Sequence, residues 1–221
     1  MRKAAGVIAF VALVLMIGVA QVWAIPFDST AATAATCTGT QAGCTGGVLN
    51  AIVQDPAWTT PPAPAVWVSY NPNTGFGGSA QPGNATPPLS PANATETFAI
   101  SIPAGFSSLT VTVWADDTAG LRLDGGASYI TPPPGTTAAT NCVTTGITCT
   151  GPGTVFTIAL GGLAHTLDFD VFQLNGSSFG FAYAGDLTPV PEPATLLLVG
   201  SALAAAGLVS RKRFRKDQAI S

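Results

Sequence analysis

The fold is decided by the stretch Leu109-Thr-Val-Thr-Val-Trp114, in which apolar side chains alternate with hydroxyl-bearing or aromatic ones. A period of two places one set of side chains on a core face and the other towards solvent, as in a half-buried β-strand. The same alternation recurs in further short segments, at residues 98–102, 121–123, 156–160, 167–171 and 179–183. Turns rich in Gly, Pro and Asn separate these segments. The sequence therefore predicts an all-β fold, an antiparallel β-sandwich.

The pattern is weaker upstream of this stretch. Residues 48–53 predict a first strand and residues 66–69 another, with a Pro-rich turn between them. Residues 71–94 carry no apolar period and predict a long loop, which in a compact domain is often functional or mobile. Residues 25–47 are rich in Ala, Thr and Gly and predict an exposed leader, so that the β-sandwich domain covers residues 48–186.

The beginning of the chain has the pattern of a signal peptide. Arg2 and Lys3 precede an apolar run at 4–20, and Val22 and Ala24 place small or modest side chains at positions −3 and −1 of a cleavage site. This pattern predicts an N-terminal signal helix over residues 1–24 that is cleaved after Ala24. The alternative is an uncleaved N-terminal anchor.

A second hydrophobic segment lies near the other end of the chain. Residues 194–209 form an uncharged run of 16 residues, at or below the about 17–25 residues that a membrane-spanning helix needs. A basic block follows, made of Arg211, Lys212, Arg213, Arg215 and Lys216. Basic residues behind a hydrophobic helix keep that end in the cytoplasm. We therefore expect a single C-terminal transmembrane helix that serves as a temporary handle, with a permanent anchor as the alternative.

A short motif, Val190-Pro191-Glu192-Pro193, stands directly before this helix. The order of Pro-Glu-Pro motif, short hydrophobic helix and basic cluster resembles the PEP-CTERM sorting signal of Gram-negative bacteria, here over residues 187–216 with a tail at 217–221. The resemblance implies an exported protein that an exosortase-type enzyme processes. It implies a stay in the inner membrane, transient or permanent, and then a place at the cell surface or in the extracellular matrix, associated with exopolysaccharide.

Charge is distributed very unevenly along the chain. Between residues 25 and 190 the one basic residue is Arg122, against nine acidic residues, so that this region has a net charge of about −8. The acidic residues are Asp28, Asp55, Glu96, Asp116, Asp117, Asp124, Asp168, Asp170 and Asp186. Such a region cannot neutralise phosphates, which argues against nucleic-acid binding and against attachment of the body to anionic lipid headgroups.

The four cysteines form two pairs of equal spacing, Cys37 with Cys44 and Cys142 with Cys149. An exported protein meets an oxidising compartment, where disulfides persist. Equal short spacing in Gly/Thr-rich segments favours two local bonds, with crosswise pairing of the two loops as the alternative. A zinc site is disfavoured because no histidine lies near either pair.

The body also resembles the galactose-binding-like jelly-roll domain that is common in PEP-CTERM proteins. The motifs that carry this resemblance are Asp55-Pro-Ala-Trp58, Trp67-Val68, Glu96-Thr-Phe-Ala-Ile100, Val113-Trp-Ala-Asp-Asp117, Leu121-Arg-Leu-Asp-Gly125 and Thr166-Leu-Asp-Phe-Asp-Val171. The resemblance implies a jelly-roll. Asp117 and Asp124 stand where the family has Asn, which puts in doubt any ligand role of those amides.

Two sets of residues are candidates for ligand binding. Trp58, Trp67 and Tyr70 could stack on the apolar face of a sugar; the alternative is that the tryptophans fill the core. Asp116, Asp117 and Asp124 could supply oxygen ligands to Ca²⁺, with help from Asp168 and Asp170 on another strand. The alternative for these acids is that they form turns and face solvent.

Catalytic signals are weak in this sequence. His165 is the single histidine, and its position before a predicted strand favours a turn residue over a member of a triad. We therefore expect an exported, non-enzymatic surface or matrix protein without a cofactor. A carbohydrate-binding module is the alternative, and a secreted hydrolase that uses paired carboxylates is a third hypothesis.

Overall fold

The computed structural model describes residues 23–30, 33–41, 43–136, 142–191 and 200–201. The chain divides into two compact units: Met1–Trp23 with Pro191–Ser221, and Ala24–Val190, which we call the body. Most of the predicted signal helix and nearly all of the predicted transmembrane helix lie outside the described residues. Within the described residues, no helix is both long and apolar enough to cross a membrane.

The body is all-β, as predicted. Its strands are β1 (Ile25–Asp28), β2 (Thr36–Gly39), β3 (Asn50–Ala51), β4 (Val68–Ser69), β5 (Glu96–Ile102), β6 (Phe106–Asp116), β7 (Thr118–Leu123), β8 (Thr154–Ala159), β9 (His165–Phe172) and β10 (Gly180–Pro189). Short 3-10 turns occur at Thr45–Gly47, Pro72–Thr74 and Pro91–Asn93. The segments with period-two alternation therefore all became strands.

The strands form two antiparallel sheets. The larger sheet has the order β3-β4-β10-β6-β8, and β1 pairs with β10 beside this path. The smaller sheet has the order β2-β5-β9-β7. The two long strands of the larger sheet, β6 and β10, pair along nearly their whole length and form its centre.

The core lies between the two sheets and follows the alternation in the sequence. Leu109, Val111 and Val113 of β6 are fully buried, whereas the intervening Thr110 is exposed. Aromatic rings join the sheets, since the ring of Phe169 stacks on that of Tyr183 with centroids 4.9 Å apart. Burial of each such side chain contributes about 1.5–3 kcal/mol.

The predicted exposed leader differs from the structure. Residues 25–47 contribute one strand to each sheet, β1 beside β10 and β2 beside β5. Phe27 of β1 is buried, with its ring centroid 5.0 Å from that of Tyr183. Strands of four residues are too short to show a period, so the sequence pattern could not reveal them. They remain in place because β10 and β5 offer free backbone groups to pair with.

A second, smaller hydrophobic cluster covers part of the outer face of the larger sheet. Trp114 points away from the main core and packs there with Trp58, Trp67 and the two cysteines Cys142 and Cys149. The rings of Trp58 and Trp67 lie 4.1 Å apart between centroids. This cluster fastens the 52–67 segment and the second cysteine loop to the sheet.

Candidate functional sites

The predicted sorting motif begins where the folded body ends. Strand β10 runs to Pro189, and Leu187 near its end is buried. The next residue, Val190, donates its backbone N–H to the carbonyl of Gly105 at 2.8 Å. Pro191 is exposed, whereas Glu192, Pro193 and the basic block lie outside the described residues. A single residue therefore separates the core strand from the first proline of the motif.

Both ends of the body emerge at one end of the sandwich. Because β1 and β10 are antiparallel, Ile25 at the start of β1 lies opposite Leu187 near the end of β10. The turns at 103–105 and 160–164 lie at the same end, since the backbone of Gly105 bonds to both Gly162 and Val190. The segments that enter and leave the body are therefore neighbours.

The aromatic residues proposed for sugar stacking are buried. Trp58, Trp67 and Tyr70 are 4%, 2% and 5% exposed. Trp67 donates its indole N–H to the carbonyl of Thr59 at 2.9 Å, and Tyr70 donates its hydroxyl to the carbonyl of Ala80 at 2.8 Å. These rings and polar tips are used within the fold and offer no surface for stacking. The structure thus agrees with the alternative, that the tryptophans fill a core.

The structure confirms the two local disulfide bonds. Cys37 is bonded to Cys44 and Cys142 to Cys149, with Cα atoms 5.5 and 5.8 Å apart. The first bond is half-buried at the edge strand β2, whereas the second lies within the tryptophan cluster. The two bonds thus close loops of the same length in different environments.

Asp116 and Asp117 lie together where the chain crosses from β6 in the larger sheet to β7 in the smaller sheet, and both side chains are buried. Asp117 accepts hydrogen bonds from the backbone N–H groups of Leu174 and Asn175 at 2.5 and 2.8 Å, so it fastens the loop after β9. Burial, followed by the negative charge of Asp117, raises the pKa of Asp116 to about 9. Asp116 is therefore a neutral acid at physiological pH, which lowers the charge of this pair.

A carboxylate oxygen of Asp116 lies near the second disulfide. This oxygen and the sulfur atoms of Cys142 and Cys149 are within 4.8 Å of one another. The spacing would suit a metal ion if the sulfurs were thiolates. Because the two sulfurs are bonded to each other, they carry no thiolate charge to bind one.

Asp124 is separated from the other two predicted calcium ligands. Asp117 precedes β7 and Asp124 follows it, so that six residues of extended strand, or roughly 20 Å, lie between them. The carboxylate of Asp124 instead accepts from the backbone N–H of Thr166 at 2.8 Å and contacts Nδ1 of His165 at 2.7 Å. The three aspartates therefore do not share one cation site.

His165 has partners on both ring nitrogens. Its Nε2 lies 2.8 Å from the carbonyl of Leu160, in addition to the contact of Nδ1 with Asp124. The hydrogen bond to Asp124 and then that to Leu160 raise the pKa of His165. His165 was expected in a turn before the strand, whereas it is the first residue of β9, paired with Ile102, and its two hydrogen bonds fasten the start of that strand.

A buried polar cluster that the sequence analysis missed lies on the outer face of the smaller sheet. Arg122 forms a bidentate ion pair with Asp170, with Nε–Oδ2 and Nη2–Oδ1 distances of 2.6 and 2.9 Å. Thr97 donates its hydroxyl to Asp170 at 2.6 Å, and Nη1 of Arg122 lies 3.8 Å from Asp168. The aspartates predicted to face solvent are thus buried. The sequence signal that could have revealed this cluster is that Arg122 is the one basic residue of the body, while Asp168 and Asp170 share one face of a predicted strand.

A further buried acid is Glu96, at the start of β5. Its side chain is fully buried, and Oε1 accepts a hydrogen bond from the backbone N–H of Gln41 at 2.6 Å. Oε2 has no hydrogen-bond partner among the described residues. Burial raises the pKa of Glu96 to about 7, against the opposing effect of the Gln41 hydrogen bond.

A groove of about 420 Å³ lies on the outer face of the larger sheet, beside the tryptophan cluster. Thr110, Thr112 and Ala184 form its floor, and the segment Pro62-Ala-Pro64 forms one wall. Asp28 and Asp186 also line it, and no basic residue does so among the described residues. The groove therefore combines hydroxyl groups, carboxylates and apolar proline rings, which can hydrogen-bond and cover a polyhydroxylated ligand.

Comparison with known proteins identifies the end of the chain. The family described as the PEP-CTERM protein-sorting motif matches residues 189–213, which confirms the resemblance of that segment. The motif implies processing by an exosortase and export to the cell envelope or surface of a Gram-negative bacterium. Neither the curated proteins nor the solved structures gave a match to this chain.

Proposed function

We propose that this chain is an exported, non-enzymatic protein of the cell surface or extracellular matrix, which an exosortase-type system delivers and processes. The observation that carries this proposal is the sorting-motif match at 189–213, which begins at the last residue of the central strand β10. A folded body that ends where the motif begins is intact whether or not the tail is removed. The tail then directs sorting, and the body is the part of the protein that is delivered.

Several features of the body support a structural rather than a catalytic role. Both nitrogens of His165 are engaged, and the buried carboxylates of Asp117 and Asp170 accept hydrogen bonds that hold loops and strands together. A catalytic acid or base needs a free proton-transfer position that faces a cleft. Two facing antiparallel sheets also suit the galactose-binding-like jelly-roll, and on that resemblance we propose an association of the body with exopolysaccharide.

The test of sorting is fractionation of cells that express the full chain together with an exosortase-type enzyme. We expect a shortened protein at the surface or in the medium. Replacement of Pro191, Glu192 and Pro193 by alanine should leave an uncut protein in the inner membrane. The matched control replaces Thr86, Pro87 and Pro88, three exposed residues of a loop of the body, by alanine and should sort normally. Sorting and mass that do not depend on the motif would contradict the proposal.

A carbohydrate-binding module is the second candidate, and the groove beside Pro62-Ala-Pro64 favours it. The groove carries two carboxylates, Asp28 and Asp186, so a neutral glycan fits it better than an acidic one. A glycan array with residues 25–190 tests this function. Asp28→Asn with Asp186→Asn should weaken binding about tenfold, since a hydrogen bond to a charged group is worth about 1.5–3 kcal/mol. Asp124→Asn, outside the groove, is the control, and silence of the whole array would exclude the function.

A further inference from the structure

No flexible linker separates the body from Pro191 of the sorting motif, because contacts with the body continue up to Val190. Val190 is fixed by its hydrogen bond to Gly105, and its side chain packs so closely that a Cβ atom on Gly162 would lie 3.3 Å from it. The hydroxyl of Ser107 also donates to the carbonyl of Thr188 at 3.1 Å. The last ordered contacts of the body thus reach the residue directly before Pro191.

This fixed junction limits how far the motif can stand from the body. A chain extends at most about 3.3–3.6 Å per residue, so any three residues that follow Val190 span at most about 11 Å. An enzyme that encloses Pro191-Glu192-Pro193 in its active site must therefore approach the folded surface around Val190. The motif could move farther from the body only if the end of β10 detached. That detachment would break several hydrogen bonds and withdraw Leu187 from the core.

The surface around the junction is apolar and exposed. Leu163 follows Gly162 in the turn between β8 and β9 and is 66% exposed, and Val190 is 41% exposed. We call these two residues, with the backbone of Gly105 and Gly162, the junction patch. An exposed leucine on the surface that the enzyme must approach is suited to burial against that enzyme.

Acidic side chains lie in both halves of the body. Glu96, Asp116 and Asp117 are at the ends of β5, β6 and β7 away from the patch, whereas Asp186 precedes Val190 by four residues and Asp124 near the patch is paired with His165. The patch itself is formed by two apolar side chains and two glycines, so the contact that it offers is apolar rather than ionic.

From these observations we propose that the junction patch, centred on Leu163 and Val190, is a docking surface for the exosortase-type enzyme that cuts this chain. Recognition then uses the folded body as well as the tail. The enzyme contacts the turn at 160–163 while the motif occupies its active site. The inference rests on the proposed function, because it assumes that the tail is processed.

The experiment measures removal of the tail from the full chain by pulse–chase in a Gram-negative host that carries an exosortase-type enzyme. Leu163→Asp should slow removal by about tenfold, as expected for the loss of one buried leucine at an interface. The matched control is Val155→Asp on the outer face of β8, where the wild-type valine is 61% exposed, and it should be cut at the parent rate. Thermal melting of residues 25–190 with each substitution checks that both variants fold.

A linker insertion makes the test specific for contact. About six Gly/Ser residues between Val190 and Pro191 give the motif a flexible reach away from the body. In that background Leu163→Asp should be cut as fast as its own parent. The proposal is overturned if Leu163→Asp is cut normally without the linker, if Val155→Asp is equally slow, or if the linker leaves the defect in place.

Two further outcomes distinguish docking of the enzyme from a lipid contact and from failure of the proposed function. Leu163→Asp could abolish binding of the body to vesicles of phosphatidylethanolamine and phosphatidylglycerol while tail removal stays normal. The patch would then be a lipid contact, and docking of the enzyme would be wrong. If the parent chain is never shortened, the proposed function fails and this inference with it.

Discussion

Arg122 shows how a single residue can be decisive in a very acidic body. It is the one basic residue between 25 and 190, and it is 8% exposed. Its guanidinium faces Asp170, which is fully buried, and its Nη1 also donates to the carbonyl of Gly126 at 3.2 Å. A charge buried this deeply is tolerated only when a partner neutralises it and its hydrogen bonds are satisfied.

Replacement of Arg122 by methionine should therefore be severe. The change keeps most of the side-chain volume but leaves the carboxylate of Asp170 buried and unpaired, at a cost of about 3–5 kcal/mol. The measurement is urea unfolding of residues 25–190. Asp186→Asn, at an exposed position, should stay within about 0.5 kcal/mol of the wild type. Equal stability of the two variants would mean that the ion pair contributes nothing.

Glu96 should make stability depend on pH near neutrality. Its pKa is raised to about 7 in the folded body, so between about pH 4.5 and pH 7 the folded state holds a proton that the unfolded chain has released. The stability that depends on this group is fully present below about pH 4.5. It decreases as pH rises through 7, because ionising the buried carboxyl group costs more in the folded body than in the unfolded chain. Asp116, with a pKa of about 9, acts in the same direction.

Urea unfolding at pH 5 and pH 8 compares the wild type with Glu96→Gln. We expect the body to be less stable at pH 8 than at pH 5 and the variant to lose less stability over this interval. The difference between the two slopes isolates Glu96, because Asp116 is present in both proteins. A variant with an unchanged slope would show that Glu96 does not titrate in this range.

At the scale of elements, the two disulfides have different tasks despite equal loop lengths. Each joins cysteines seven positions apart, so chain entropy alone predicts about 2–3 kcal/mol of stabilisation for each. Cys142 and Cys149 are also buried against Trp58 and Trp114, whereas Cys37 and Cys44 lie half-buried at an edge strand. The second bond therefore also holds the tryptophan cluster on the sheet.

Double replacement by alanine separates these contributions. Cys37→Ala with Cys44→Ala should cost about 2–3 kcal/mol from chain entropy. Cys142→Ala with Cys149→Ala should cost more, because it also removes buried atoms from a packed cluster. Urea unfolding provides the comparison, and the change in tryptophan fluorescence should be confined to the second variant. Equal costs with unchanged fluorescence would contradict a packing role for this bond.

For the whole molecule, the body should fold without either membrane-directed segment. The strands that the structure describes all lie within Ala24–Val190, and the last of them is the central β10, which pairs with β1, β4 and β6. A chain of residues 25–190 should show a cooperative thermal transition and a β-type circular dichroism spectrum. The matched truncation, residues 25–183, loses the last six of the ten residues of β10 and should not fold. A folded shorter fragment would contradict the central place of this strand.

The sequence predicted most of the fold and little of the candidate sites. The strands β5 to β10 were predictable because residues such as Leu109, Val111 and Val113 repeat with a period that depends only on local geometry. The pairing of Arg122 with Asp170 was not, because these residues are 48 positions apart and meet only through the register of β7 with β9. The burial of Trp58 and Tyr70 likewise depends on which loops fold over them.

The sequence by itself determined the sorting motif and the all-β class and favoured the local cysteine pairing, since each depends on residues close together along the chain. Tertiary structure decided that β1 and β2 join the two sheets, that the aromatic residues fill cores, and that Asp124 lies far from Asp116. It also decided that the body enters and leaves at one end, with Val190 held against Gly105 beside Leu163. The physical reason is that strand register, which sets these contacts, arises between segments distant in sequence and is selected by burial of the shared core.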